Sequence, residues 1–247
     1  MKYGVLSDIH GNLEAFEAVL GCLQQAGVDQ YIFCGDLVGY GPDPEACVQK
    51  YLELSSAGKA IGVLGNHDAI FVHPELQEYF NTDALLALDW SAQQLSKKSI
   101  RTISYLPGII QQENFAVVHG TPRDPIKEYF FSSMQFHSMY QKWEGQILFV
   151  GHTHVPFFML GNEQVCHVHT VTQQQTLLLD KNARYVINPG SVGKPRDNDT
   201  RAAFGIWDSE RQEFHFLRQS YPYEKTQDKM KAAGLPEPLI ESLGLGL

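Results

Sequence analysis

The chain has 247 residues, 43% of them hydrophobic and 19% charged, and carries a formal charge of −9 at pH 7. That acidic balance excludes a nonspecific grip on nucleic acid, which needs clustered Lys and Arg, but leaves small phosphate esters open because bound cations reverse the local sign. No apolar run reaches the roughly 18 residues of a membrane span, and Met1 to Val5 leads straight into a strand rather than a signal peptide, so a soluble, cytoplasmic protein is expected.

In chain order, short β-like runs occur at Tyr3 to Ser7, Tyr31 to Cys34, Ala60 to Leu64, Phe115 to Val118 and Ile147 to Val150, each followed by glycine and polar residues. Between the first two, Leu13, Phe16, Leu20 and Leu23 share one helical face, with Asn12 placed to cap the first turn. A second helix is predicted from Asp43-Pro44, a capping residue and a first-turn proline, to Leu54. Leu85, Leu88, Ala92 and Leu95 suggest a third. After Gly151 the texture becomes extended: Phe157 to Leu160, Gln164 to His169, Thr176 to Leu179, Tyr185 to Ile187, Ala203 to Trp207 and Glu213 to Leu217. A βα-rich first half and a β-rich second half, with no low-complexity linker between them, predict one α/β domain over 1–247. Its expected architecture is a four-layer α-β-β-α sandwich of two packed mixed sheets flanked by helices. Glu224 to Leu247 holds one short helical pattern and a Gly/Leu tail, expected to be peripheral or to serve a contact between copies. Cys22, Cys34, Cys47 and Cys166 are scattered without a C-x-x-C pair, as in a reduced protein.

Five polar clusters each follow a predicted strand: Asp8-Ile9-His10-Gly11-Asn12, Gly35-Asp36, Gly65-Asn66-His67-Asp68, His119-Gly120 and Gly151-His152-Thr153-His154. In α/β sheets the carboxyl ends of strands line the ligand crevice, so the five clusters are expected to converge. Imidazoles with carboxylates suit transition metals better than Mg or Ca. Any one of these motifs is weak alone; the ordered set carries the reading. A second H-x-H, His167 and His169, has no further ligand nearby and is expected to be ordinary strand surface.

In order, D-x-H, GD, GNH[DE], H and GHxH from Asp8 to His154 resemble the calcineurin-like metallophosphoesterase family. The resemblance implies that Asp8, His10 and His154 hold one metal, that Asn66, His119 and His152 hold another, and that Asp36 bridges the two. It implies hydrolysis of a phosphodiester or phosphomonoester of a small molecule or nucleotide by a hydroxide between two divalent ions, Mn first, with Fe, Zn, Ni or Co as alternatives. Two cations roughly 3.5 to 4 Å apart lower the pKa of a shared water and clamp an in-line displacement. His67, not needed as a ligand, is expected to protonate the leaving alkoxide, with Asp68 orienting it.

The second motif lacks the arginine of the family's protein phosphatases and symmetrical dinucleoside tetraphosphatases, since Asp36 is followed by Leu37-Val38-Gly39-Tyr40-Gly41-Pro42. In its GDLVGYGPDP, HGTPRDP, GHTHVPF and NPGSVGKPRD segments the chain more closely resembles the family's small bacterial and archaeal phosphodiesterases. Arg123, Arg196 and Tyr40 are the candidate substrate contacts, and Asn188 to Gly193 is read as lining the pocket or as a turn joining the sheets. A catalytically silent scaffold, the role of a retromer subunit resembling this family, would be free to lose His67 and the ligands. A nuclease would need a basic groove.

Overall fold

A computed structural model describes all residues 1–247. The chain opens with β1 (Lys2–Leu6), α1 (Leu13–Gln25), β2 (Gln30–Phe33), α2 (Pro44–Ser56) and β3 (Ala60–Gly62), with β1, β2 and β3 paired in parallel. Asn12 caps α1 as expected, its side chain accepting from the Ala15 N–H at 3.1 Å. Asp43 does not cap α2; its carboxylate instead takes Lys229 Nζ at 2.8 Å, leaving Pro44 to start the helix alone. Next come α3 (Asn66–Ala69), a 3₁₀ turn at Pro74–Tyr79, α4 (Thr82–Gln94) and α5 (Lys97–Ser104). The remaining elements are β4 (Ile109–Gln111), β5 (Phe115–Val118), α6 (Ser133–Met139), β6 (Ile147–Phe149), β7 (Phe157–Gly161), β8 (Cys166–Thr170), β9 (Gln175–Leu178), β10 (Arg184–Asn188), β11 (Ala202–Asp208), β12 (Glu213–Gln219), α7 (Tyr223–Ala232) and α8 (Glu237–Leu245).

Two six-stranded mixed sheets result, ordered β3-β2-β1-β11-β12-β9 and β4-β5-β6-β10-β7-β8. Each sheet draws strands from both halves of the sequence, so the βα-rich and β-rich halves are interleaved in space. Strand alternation builds the layers. Leu6 and Phe33 face the helix-covered side of the first sheet, while Val5 and Ile32 face the second sheet. In the second sheet Val117, Phe149 and Ile187 face inward, and Val118, Leu148 and Val186 turn outward to Phe136, Met139 and Trp143 around α6. Because these strands are covered on both faces, they read as unbroken apolar runs rather than alternating ones.

The last stretch forms two helices, not one. Met230, Leu235, Ile240 and Leu243 bury against Ala87 of α4, and α7 packs on α1. Its anchor is Glu14, buried on α1, which receives Lys229 Nζ at 2.7 Å, Lys225 Nζ at 3.0 Å and the Thr226 hydroxyl at 3.2 Å. Burial alone would raise the Glu14 pKa, but these lysines hold it below the usual 4.5. Since the folded-state pKa is the lower one, the stabilisation is fully present above about pH 4.5 and is lost as pH falls through the folded value. Glu14→Gln is therefore expected to cost about 1–2 kcal/mol at pH 7 and progressively less in acid, measured by urea melts from pH 7 to pH 3. A cost independent of pH would mean that the contact is steric rather than ionic.

Candidate metal centre

The turns after the strands impose an unusual backbone on the polar clusters. Asp8 (φ 54°), His10 (51°), Asp36 (56°), His152 (69°) and His154 (61°) all lie in the left-handed region, where an L side chain crowds its own backbone. Only two other non-glycine residues, Asn198 and Gln212, share that conformation. Local strain of this kind persists where the surrounding structure dictates it. Here the turns interlock: Asp8 N–H donates to Gly35 O at 3.1 Å, His10 N–H to Asp36 O at 3.0 Å and Gly193 N–H to Asp8 O at 2.9 Å. Gly39 (φ 133°) closes the packing, because a Cβ there would come within 2.6 Å of His67 Nδ1 and 2.8 Å of His10 Nδ1.

Asp8, His10, Asp36 and His154 converge with ligand atoms within 4.8 Å of one another, and all four are buried. His10 Nε2 lies 3.0 Å from His154 Nε2, His154 Nε2 3.4 Å from Asp8 Oδ1, and His10 Nε2 3.6 Å from Asp36 Oδ2. Beside this group stand His119, His152 and Asn66. His119 Nε2 is 3.1 Å from His152 Nδ1, 2.9 Å from Asn66 Oδ1 and 3.4 Å from the same Asp36 Oδ2. One carboxylate oxygen thus sits between two clusters of donors.

The outer nitrogens of these rings decide what the inner ones present. His10 Nδ1 faces Val38 O at 3.1 Å, His119 Nδ1 faces Cys34 O at 2.8 Å, His154 Nδ1 faces Lys194 O at 2.6 Å and His152 Nε2 faces Lys127 O at 3.2 Å. A carbonyl only accepts, so each outer nitrogen carries the proton and each inner one offers a lone pair. Burial holds the imidazoles neutral, lowering His152 to about 3 and His154 to about 4. Lone pairs 3.0 Å apart repel unless something positive lies between them.

The carboxylates ask for the same thing. Asp36 Oδ1 accepts the His67 N–H at 2.9 Å, but Oδ2 is buried without any hydrogen-bond partner. Burial, reinforced by the charges of Asp68 and Asp8, pushes the Asp36 carboxyl well above the usual range. A buried anion with a bare oxygen and inward-facing neutral imidazoles form a set that divalent transition metals fit.

A profile of the calcineurin-like phosphoesterase superfamily domain matches residues 1–212. The chain belongs to that superfamily. An uncharacterized protein of Methanocaldococcus jannaschii is 33% identical over 247 residues, covering 98% of this chain and 97% of its own. The crystal structure of a metallophosphoesterase from Sphaerobacter thermophilus shares 35% identity and a TM-score of 0.85, with both chains fully covered. A hypothetical protein from Pyrococcus horikoshii superposes with a TM-score of 0.81 over 98% of this chain and 97% of its own; at 19% identity that likeness speaks for the fold.

Within this phosphoesterase domain the other predicted site residues divide. His67 is buried beside the cluster, its ring 4.7 Å from that of His10, 4.5 Å from that of Tyr40 and 4.9 Å from that of Phe80. Burial, and after it the neighbouring histidines and Arg196, lower its pKa. Asp68 does not orient His67. Its carboxylate accepts backbone N–H groups from Leu37 at 3.0 Å, Val38 at 3.2 Å and Gly65 at 3.3 Å, so it braces the loop after Asp36. A helix turns adjacent side chains to different faces, which explains why neighbours in sequence are not partners here.

Arg123 is likewise set apart. It is exposed, donates to Glu128 Oε2 at 3.1 Å, and lies outside the cavity in front of the cluster. Arg196 and Tyr40 do line that cavity, about 530 Å³ in volume, with Asp36, Asn66, His67, His152 and His154 at its base. Its walls include groups that no sequence signal picked out: Lys127 and Tyr129, Phe80 and Leu76, and Lys194. Tyr129 stacks on His152 with centroids 3.9 Å apart. Asn188 to Gly193 joins β10 of one sheet to β11 of the other and braces the site from behind, with Asn188 Nδ2 donating to Gly151 O at 2.7 Å and the Ser191 hydroxyl to Asp8 O at 2.9 Å. His167 and His169 lie exposed on β8, away from the cluster.

Proposed function

We propose that this chain is a metal-dependent phosphoesterase that hydrolyses a phosphomonoester or phosphodiester of a small molecule or nucleotide. The observation that carries the reading is the unpartnered Asp36 Oδ2 between two sets of inward-facing ring nitrogens. Asp8, His10 and His154 would hold one divalent ion, Asn66, His119 and His152 a second, and Asp36 would touch both. When bound, such ions lower the pKa of a water, orient a phosphate and neutralise the charge of the displacement.

The protein's own side chains do the rest. His67, at the cavity base and free of any ligand duty, donates its proton to the departing ester oxygen. Burial, and after it the neighbouring histidines and Arg196, depress its pKa, and an incoming phosphate supplies the negative charge that favours protonation. Phe80 borders His67 and, with Leu76 in the same cavity wall, gives the leaving group an apolar surface, while Tyr129, stacked by one face on His152, offers its ring to a planar group such as a nucleobase. A cavity of this volume suits a nucleotide-sized ligand.

The test combines metal content by mass spectrometry with hydrolysis of bis(p-nitrophenyl) phosphate, with and without added Mn. About two ions per chain and metal-dependent turnover are expected. His67→Ala sharpens it: p-nitrophenolate leaves without help, so that substrate should lose less than about tenfold, whereas alkyl phosphate esters should lose about a hundredfold or more. Protein that binds no metal and stays inert with Mn overturns the reading; equal losses on both leaving groups remove His67 as the acid.

A further inference from the structure

Arg196 is a cation without a counter-ion. The chain carries 28 Asp and Glu against 19 Lys and Arg, so carboxylates are plentiful. Arg123 pairs with Glu128, Arg201 with Asp199, Arg211 with Asp208 and Arg218 with Asp197. Arg184 is satisfied by the carbonyls of Tyr140, Trp143 and Gly145. Arg101 also lacks a carboxylate, but it lies exposed on α5, reaches Tyr105 Oη at 3.5 Å and is not part of the cavity wall. Half-buried in the cavity wall, Arg196 has no carboxylate within 4.0 Å, and its guanidinium makes one side-chain hydrogen bond, to Tyr40 Oη at 3.1 Å. The two acids that follow it closely, Asp197 and Asp199, are committed to Arg218 and Arg201. Of the two lysines in the same cavity wall, Lys194 turns its Nζ to Ser242 Oγ at 2.8 Å and Leu247 O at 2.6 Å, and Lys127 lies 3.8 Å from Asp124 Oδ2.

Its placement is fixed relative to the metal cluster. The Arg196 N–H donates to His154 O at 3.4 Å, and His154 Nδ1 faces Lys194 O, so the 194–196 segment is laced to His154. Tyr40, whose ring lies 4.7 Å from His10 and 4.5 Å from His67, sits beneath the guanidinium at 5.9 Å. A planar fork of N–H donors, set in the wall of the cavity that His67, His152 and His154 also line and without a carboxylate partner, is built for a planar or tetrahedral oxyanion.

Resting on the phosphoesterase reading, we infer that Arg196 binds a non-bridging oxygen of the substrate's phosphoryl group and that Tyr40 is the positioning residue that aims it. The ligand chemistry is a phosphate ester anion, with inorganic phosphate as the product analogue. Lysine at this position keeps the charge but not the fork, and phenylalanine at position 40 keeps the ring but not the oxygen that receives the guanidinium N–H. The grip is present both before and during the reaction, so its loss acts on KM more than on kcat.

The experiment titrates inorganic phosphate calorimetrically into Mn-loaded wild type, Arg196→Ala, Arg196→Lys and Tyr40→Phe, with metal content and p-nitrophenyl phosphate kinetics recorded beside it. Arg196→Ala should weaken phosphate binding and raise KM by about tenfold or more at unchanged metal content; Arg196→Lys should recover part of this, and Tyr40→Phe should lose about two- to fivefold. Phosphate affinity unchanged in Arg196→Ala, in a wild type that hydrolyses esters, overturns the Arg196 assignment and leaves the phosphoesterase standing. A loss confined to kcat, or accompanied by lost metal, also overturns it. Wild type that neither hydrolyses esters nor binds phosphate overturns both.

Discussion

Asp36→Asn is expected to lower kcat/KM at least about a thousandfold, roughly 4 kcal/mol of transition-state stabilisation, and at the same time to make the metal-free protein more stable. The two effects have one cause. Asp36 Oδ2 is buried without a partner, and burial, with the negative charges of Asp68 and Asp8 after it, pushes its pKa well above the usual carboxylate range. Such an anion is tolerable only with cations beside it; without them it is a fault in the core. An amide at that position carries no charge, and its N–H group faces the His119 and His10 nitrogens, now 3.4 and 3.6 Å from Oδ2, either of which can accept. Stabilisation of about 1–2 kcal/mol, or about 3–6 °C in Tm for a chain of this size, follows for the chelated protein. Thermal scans with and without chelator, beside hydrolysis and metal content, check both halves. If the metal-free variant melts lower than metal-free wild type, Asp36 serves the fold, and the argument from its bare oxygen fails.

The same residues show what a sequence carries and where it stops. The strands were legible because Leu6, Phe33, Val117 and Phe149 sit in short apolar runs bounded by glycine and polar residues, and burial on both faces leaves such runs unbroken. α3 was not, because Asn66 to Ala69 is barely one helical turn and holds a single apolar residue, so no apolar spacing can repeat within it. α5 offers only Ile100 and Ile103 as apolar positions and is held by the Ser96 cap, whose hydroxyl accepts from Ser99 at 3.1 Å. The site's membership was legible from residue types recurring after strands. Its outer supports were not: the carbonyls of Val38, Cys34, Lys194 and Lys127 that fix the ring tautomers are backbone atoms, and any residue supplies one. Arg123 and Arg196 look alike in sequence. Glu128, five residues on, neutralises the first, while Asp197 beside the second is drawn away by Arg218 across the sheet.

Chelating the metals is expected to lower Tm by about 10 °C, and the reason lies in the backbone as much as in the charges. A ligand present at about a thousand times its Kd contributes about 4 kcal/mol to stability, which at about 3 °C per kcal/mol gives a shift of that size. What remains after chelation is a set of side chains held in a conformation that L residues avoid, Asp8, His10, Asp36, His152 and His154 all at positive φ. A non-glycine residue there carries roughly 1–2 kcal/mol of strain, which glycine does not. That yields a test independent of catalysis. In ordinary helix or strand positions alanine is more stabilising than glycine, yet at position 10 (φ 51°) the order should invert, with metal-free His10→Gly about 1 kcal/mol more stable than metal-free His10→Ala. Both variants remove the same imidazole and the same ligand, so the difference isolates the backbone. Denaturant melts of the two chelated variants decide it: the inverted order shows that the turn holds His10 in place against its own preference before any ion arrives, and the ordinary order shows that the turn relaxes and that the ions themselves impose the geometry.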